Sequence, residues 1–379
     1  MKHGLLSCGL SALALALAAP AAAQQPGQDN TGFGTSAGEF LLLGAGARGA
    51  ALGGAFAALT KDVSALYYNP AGLAEMSRPG AMVSTYSYIA GTRYSWAGIG
   101  FPMSGGARAI GVSVGTFGFS DQPVYTLDNP DGNGETYSVA ETFISGTFAE
   151  NFSDRFAAGF SAKIISDALG RTKATGFAVD FGTNFHALIG QRPIRAAFVI
   201  QNLGTNLKHT GSGLDQGITR EPPLGTVNIP QEPQPAVLKS SSWTLPVLFR
   251  IGAAVDLVSL GPNRLTLLSE FTQPNNDKPG AGAGLEYALT NIGNSGFSLA
   301  ARGSYTIQPA NDLNPNDPAV APDAGFATKY GTGSFTSYGV AAGGGIEYSR
   351  RGFKLAFDYA YRNLGPLGGT DYLSFSLGW

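Results

Sequence analysis

From Gly80 to the C-terminus, apolar and small or polar residues alternate along the chain. Phe156, Ala158, Phe160, Ala162 and Ile164 form one face against Gly159, Ser161 and Lys163. Phe177, Val179, Phe181 and Phe185 then oppose Asp180, Gly182, Asn184 and His186, and Ile194, Ala196, Phe198 and Ile200 oppose Arg195, Ala197 and Gln201. Near the end, Leu355, Phe357, Tyr359 and Tyr361 alternate with Ala356, Asp358 and Ala360. The last run sets Leu373, Phe375, Leu377 and Trp379 against Ser374, Ser376 and Gly378. Successive side chains of a strand point to opposite faces, so a period of two predicts strands with one apolar face.

About fourteen such segments lie at 82–89, 93–101, 108–118, 135–149, 154–165, 174–187, 193–202, 245–257, 263–271, 280–288, 296–307, 334–348, 352–362 and 370–379. Most reach the roughly 9–11 residues that a tilted membrane-crossing strand requires. The gaps between them carry a second pattern. The long gaps, 119–134, 203–244 and 308–333, follow the third, seventh and eleventh strands, whereas gaps such as Asn151-Phe152-Ser153 and Ser349-Arg350-Arg351 follow even ones. Short turns at one rim and long loops at the other are the habit of outer-membrane barrels with an even strand number. That parity puts both termini on the periplasmic side.

Composition points the same way. Only 13% of residues are charged and 54 are glycine, against about 25% charged in soluble domains. After Ala23 no stretch of 20 apolar residues exists to make a spanning helix. Backbone groups in hydrocarbon must be paired within the protein, and a closed barrel achieves this without helices. A secreted β-sandwich or propeller would also alternate, but its polar face would carry more charge. Here that face is mostly Gly, Ser and Ala, as in a narrow lumen. The expected fold class is therefore all-β: a transmembrane antiparallel barrel of about fourteen strands, with a small N-terminal helical plug.

Met1-Lys2-His3, the uncharged run Gly4 to Ala23 and the close on Ala21-Ala22-Ala23 make residues 1–23 an expected export signal. Removing it removes Cys8, the only cysteine, and with it any disulfide or Cys-ligated metal. Residues 24–38 read as a flexible leader. Residues 39–79 differ again, being rich in Gly and Ala; they read as short helical pieces broken by glycines and ending in the Asn69-Pro70-Ala71-Gly72 turn. They form the expected plug, with residues 80–379 as the barrel in the outer membrane.

Little in the chain points to chemistry. Gly44-Ala45-Gly46-Ala47-Arg48-Gly49 matches a dinucleotide fingerprint, but no βαβ rhythm follows; Asp62, the only acidic candidate, precedes a turn rather than a strand. His186 and His209 have no second ligand at metal spacing. A serine paired with His186, as in barrel lipases, has no sequence element to assemble it. No catalytic residues, metal or cofactor are assigned, and the formal net charge of −2 gives no basic patch for nucleic acid. Lys163, Asp180 and Arg195 fall on the inward faces of three consecutive strands and are expected to neutralise one another in the lumen. A Lys or Arg facing lipid would cost about 2–4 kcal/mol at mid-depth.

The segment FLLLGAGARGAALGGAFAALTKDVSALYYNPAGLA resembles the N-terminal signature of the PorV/PorQ family of outer-membrane proteins. Its matching positions include Gly46, Arg48, Gly53, Gly54, Asp62, Asn69, Pro70 and Gly72. The stretch IAGTRYSWAGIGFPM, the Gln201-Asn202-Leu203-Gly204 segment (expected as a family turn) and the C-terminal FDYAYRNLGPLGG and LSFSLGW fit as well. Tyr68 stands where the family pattern usually has Trp. Phe375, Leu377 and Trp379 would form the C-terminal signal that barrel-assembly machinery reads. That family is similar to the FadL fatty-acid transporters, which share a fourteen-stranded barrel and an N-terminal plug. The resemblance implies, first, binding of secreted cargo or of type IX secretion subunits, with loops 203–244 and 308–333 as platform. Its second implication is a channel for long-chain fatty acids or other hydrophobic small molecules.

Overall fold

The computed structural model describes residues 34–127, 129–190, 192–218, 234–307 and 339–379. The expected export signal, most of the leader, the loop 308–333 and most of the Pro-rich stretch from Glu221 to Pro235 lie outside the described residues. Fourteen antiparallel strands close into one barrel in simple up-and-down order. They are β1 (Gly80–Ser87), β2 (Arg93–Met103), β3 (Arg108–Pro123), β4 (Thr136–Ser153), β5 (Phe156–Leu169), β6 (Thr172–Ile189) and β7 (Arg192–Gly204). The second half is β8 (Leu248–Leu260), β9 (Asn263–Pro274), β10 (Gly280–Leu289), β11 (Phe297–Ile307), β12 (Val340–Arg350), β13 (Phe353–Asn363) and β14 (Gly369–Gly378). First and last strands pair from Gly80↔Gly378 to Tyr86↔Tyr372, so no edge is left open.

The strand count and the loop parity match the sequence reading, but the ends of the strands differ. β3 to β6 run several residues past their apolar stretches, taking in polar segments such as Ser120-Asp121-Gln122 and Thr172-Lys173. Ladder hydrogen bonds join backbones whatever the side chains are, so pairing continues where the alternation stops. Between β7 and β8 the described residues add pairing that the sequence did not announce. Leu207–Lys208 pairs with Ser242–Trp243, and Asp215–Ile218 pairs with Gln234–Val237, as two small ribbons at the long-loop rim.

The outer surface is a belt of exposed apolar side chains. Ile144, Ile164, Phe177, Phe181, Phe185, Phe357, Tyr359, Leu373 and Phe375 all point outward, with Phe177 57% exposed. Water would oppose so large an apolar surface, whereas lipid matches it. The hydrophobic core lies inside the barrel instead. Phe40, Leu52, Phe56, Leu66 and Leu73 of the N-terminal segment pack with wall residues Tyr94, Trp96, Phe143 and Ile165, all but sealed from solvent.

That segment is the plug. It holds a 3₁₀ turn at Glu39–Leu42, the one-turn helices α1 (Ala47–Ala51) and α2 (Ala65–Tyr68), and a second 3₁₀ stretch at Pro70–Glu75. Helices this short do not persist alone in water, so the wall must hold them. The Asn69 side chain accepts from the Ala71 amide at 3.1 Å, and Pro70 occupies the first position of the following turn. Both are the expected chemistry of a helix start.

Candidate functional site: a plugged lumen

The plug is tied to the wall on every side. At β1 and β14, Ser84 Oγ accepts from the Gly46 amide at 3.2 Å and Ser374 Oγ from the Ala47 amide at 2.5 Å. Gly46 itself adopts φ +84°, a conformation that favours glycine. At β11, Thr306 Oγ1 donates to the Gly53 carbonyl at 3.2 Å, and Arg250 of β8 donates to the Gly54 carbonyl at 3.2 Å. At β6, Asn69 Nδ2 donates to Asn184 Oδ1 at 2.6 Å, and Asn184 in turn donates to Glu75 at 2.7 Å. Within the plug, Gly72 sits so close to the Thr60 carbonyl that a Cβ would overlap it.

Charged groups lock the same interface. Arg48 of α1 grips Glu286 of β10 in a bidentate pair, both contacts at 2.8 Å, and also reaches Asp62 at 3.3 Å. Arg302 donates to Glu286 at 2.7 Å and to Asp358 at 2.6 Å. On the opposite side, Arg250 donates to Glu270 and to Gln201, each at 2.9 Å, while Glu270 accepts from the Ala57 amide at 3.0 Å. Gln201 closes the circuit by donating to the Tyr67 carbonyl at 2.5 Å. Buried polar groups are costly unless satisfied, and these are largely satisfied across the plug–wall seam.

The three charges singled out on consecutive strands do not form one ladder. Lys163 and Asp180 pair at 2.8 Å and are nearly sealed from solvent. Lys163 also donates to Asn202 Oδ1 at 2.7 Å, and the Asn202 amide donates to Asp180 at 2.8 Å. Arg195 instead pairs with Asp256 of β8, a residue not identified from sequence. The reason is register: Arg195 lies opposite Ala254, two residues from Asp256, whereas the pairing of β6 with β7 shifts between Val179 and Phe181. That shift also corrects the expected family turn. Gln201 and Asn202 lie within β7, which ends at Gly204, and Asn202 takes φ +61° as the bulge residue.

At the C-terminus, Phe375 points outward on β14, while Leu377, two residues on, is half-buried. The Trp379 amide donates to the Pro79 carbonyl at 3.1 Å, and its ring meets Phe101 edge-on at 6.2 Å.

Two cavities flank the plug. The upper, of about 350 Å³, opens toward the long-loop rim; Leu42, Leu43, Ala50, Ala55, Tyr68 and Leu248 provide its apolar lining, with Arg250, Glu270 and Asn276 as polar points. Burial pushes the Glu39 carboxyl on its wall upward, against an opposing hydrogen bond from Asn276. The lower cavity, of about 450 Å³, faces the short-turn rim and is lined by Arg48, Lys61, Asp62, Arg264, Glu286 and Arg302, among others. Burial raises the Asp62 carboxyl, but Arg48 and the Ser64 hydrogen bonds outweigh it and hold the group below its ordinary value. Sequence reasoning missed Arg250, Glu270, Glu286 and Arg302. Glu286 and Arg302 are each the one charge of a strand rich in small residues, and that was the available signal; Arg250 shares β8 with Asp256, and Glu270 shares β9 with Arg264.

No family model matches the chain, and no curated protein sequence matches it. Its fold does match solved structures. The Ralstonia pickettii toluene transporter TbuX aligns with a TM-score of 0.50 at 10% identity, covering 89% of this chain and 98% of that one. A mutant of the TodX monoaromatic hydrocarbon channel aligns with a TM-score of 0.51 at 12% identity, covering 88% and 96%. The likeness at this identity is one of fold: a closed fourteen-stranded barrel.

Proposed function

We propose that this barrel is an outer-membrane channel for small hydrophobic molecules, with residues 39–79 as the plug that gates it. The observation that carries the reading is the plugged lumen with a partly apolar cavity on its long-loop side. Its volume, about 350 Å³, falls at the small end of ligand pockets, which run from roughly 300 Å³ upward. Apolar lining with a few fixed polar groups is the usual make-up of such pockets. The matched structures support the same reading, since TbuX is described as a toluene transporter and TodX as a monoaromatic hydrocarbon channel.

In this reading residues 1–23 export the chain, 24–38 link it, and Phe375, Leu377 and Trp379 present the assembly signal. Lipid surrounds the exposed aromatic belt. Cargo binding, the first implication of the PorV/PorQ resemblance, ranks second, because the lumen and the matched structures support the channel better.

Toluene serves as the test ligand. Saturation transfer from the purified barrel in detergent to toluene is expected to be saturable, and to fall sharply in Ala55→Phe, which fills the upper cavity. Equal transfer in wild type and in that variant would count against the channel reading.

A further inference from the structure

Charge does not balance in the lower cavity. Glu286 accepts two hydrogen bonds from Arg48 and one from Arg302. Arg264 approaches it only at 3.7 Å through Nη2, and the Arg264 Nε is buried with no acceptor. Lys61, on the plug side of the same cavity, has no carboxylate within ion-pair distance among the described residues. Six cations line the cavity, Arg48, Lys61, Arg78, Arg264, Arg302 and Lys354, against five anions, Asp62, Glu75, Glu286, Glu347 and Asp358. Lys354 pairs with Glu347 at 2.8 Å and Arg195 with Asp256, while Glu75 meets the His186 imidazole at 2.9 Å. Arg78, at the rim, donates to the Gly352 carbonyl at 3.1 Å.

We propose that the lower cavity is a binding site for a small monoanion, a carboxylate, held between Lys61 of the plug and Arg264 of the wall. One negative charge is what the balance lacks, and a carboxylate offers two acceptor oxygens to the two cations whose donors are unused. Charge-assisted hydrogen bonds of this kind are among the strong ones in proteins. The field at Lys61 agrees: desolvation by the cavity walls first, then Arg264, Arg48 and Arg195, hold its ammonium below the ordinary lysine value even though the side chain reaches solvent, which a bound anion would relieve. Because one partner sits on the plug and the other on the barrel, the anion would also clamp the two together. The site goes beyond the channel reading, since it lies on the other side of the plug from the apolar cavity.

The experiment uses [1-¹³C]acetate with the purified full-length barrel in zwitterionic detergent at constant ionic strength. Saturable broadening of the acetate line is expected in wild type, weakened about tenfold or more in Lys61→Gln and in Arg264→Gln, as loss of a hydrogen bond to a charged group implies. Lys354→Gln, which lines the same cavity but is paired with Glu347, is expected to leave binding unchanged. Neutral acetamide should neither broaden nor compete, and acetate binding in wild type should fade as alkaline pH discharges Lys61. Absence of saturable broadening in wild type, or equal weakening in Lys354→Gln, would overturn the site. The wild-type pH and acetamide arms need no variant to fold, and toluene binding above the plug reports on the channel reading separately.

Discussion

Lys163 and Asp180 meet at 2.8 Å inside the barrel with side-chain exposures of 3% and 0%. Asp180 additionally accepts from the Asn202 amide, so one carboxylate satisfies both a cation and a bulge. Removing one partner of a buried pair leaves an uncompensated charge, typically at a cost of about 3–5 kcal/mol. Asp180→Ala is therefore expected to destabilise the barrel by that order, and Lys163→Met/Asp180→Leu by clearly less. Urea unfolding in detergent micelles measures both; a double variant as unstable as the single one would sink the argument.

Glu286 is the acceptor through which the Arg48 side chain of α1 reaches the wall. Glu286→Gln should leave Arg48 and Arg302 poorly matched and loosen the plug, at a cost of about 3–5 kcal/mol for a broken buried network. Hydrogen exchange of residues 47–51 is the readout. Exchange that stays at the wild-type rate would show that the plug is held elsewhere.

Wall glycines set how closely the plug can approach. A Cβ on Gly159 would overlap the Pro70–Ala71 backbone, and one on Gly182 would overlap the Asn69 side chain. Gly159→Ala or Gly182→Ala should displace the Asn69–Pro70 turn at about 1–3 kcal/mol, the usual cost of overpacking. Gly146→Ala, on the neighbouring strand with nothing within 4 Å of its added methyl, should be silent. Melting temperatures of the three variants in one detergent decide the point.

Lys61 predicts a pH dependence with a definite sign. Its folded value is lowered from 10.5, by desolvation first and then by Arg264 and its neighbours. Between the lowered value and 10.5 the unfolded chain binds the extra proton, so stability must rise with pH across that window. Without added carboxylate, wild type should be more stable to urea near the top of the window than below it, and Lys61→Met should lack this increment. A parallel pH response in the variant would assign the effect to another group.

The barrel was readable in the sequence because a period of two is local: Phe177, Phe181 and Phe185 declare an outward face without knowledge of any partner strand. Loop parity then fixed which rim was which. What could not be read depends on register. Arg195 finds Asp256 because β7 and β8 align Arg195 with Ala254, and no pattern within either strand encodes that alignment. The plug was recognised by composition, while its contacts were not, since Gly159 and Gly182 look like ordinary strand glycines until Asn69 and Pro70 are placed against them. The pairing of Asp215–Ile218 with Gln234–Val237 escaped for a different reason: strands of four residues are too short for alternation to show.

The hydrogen bonds from Gly46 to Ser84 and from Ala47 to Ser374 join consecutive plug residues to the first and the last strands of the barrel. Those two strands meet at the seam where the sheet joins end to end, and they are the pair farthest apart along the chain. The plug thus spans the final joint like a key laid across a lock before it shuts. Its two bonds give that joint a support besides the ladder from Gly80↔Gly378 to Tyr86↔Tyr372. A chain lacking residues 39–75 would have to find its own ends unaided, so its defect should appear in the rate of ring closure as much as in what the finished pore admits.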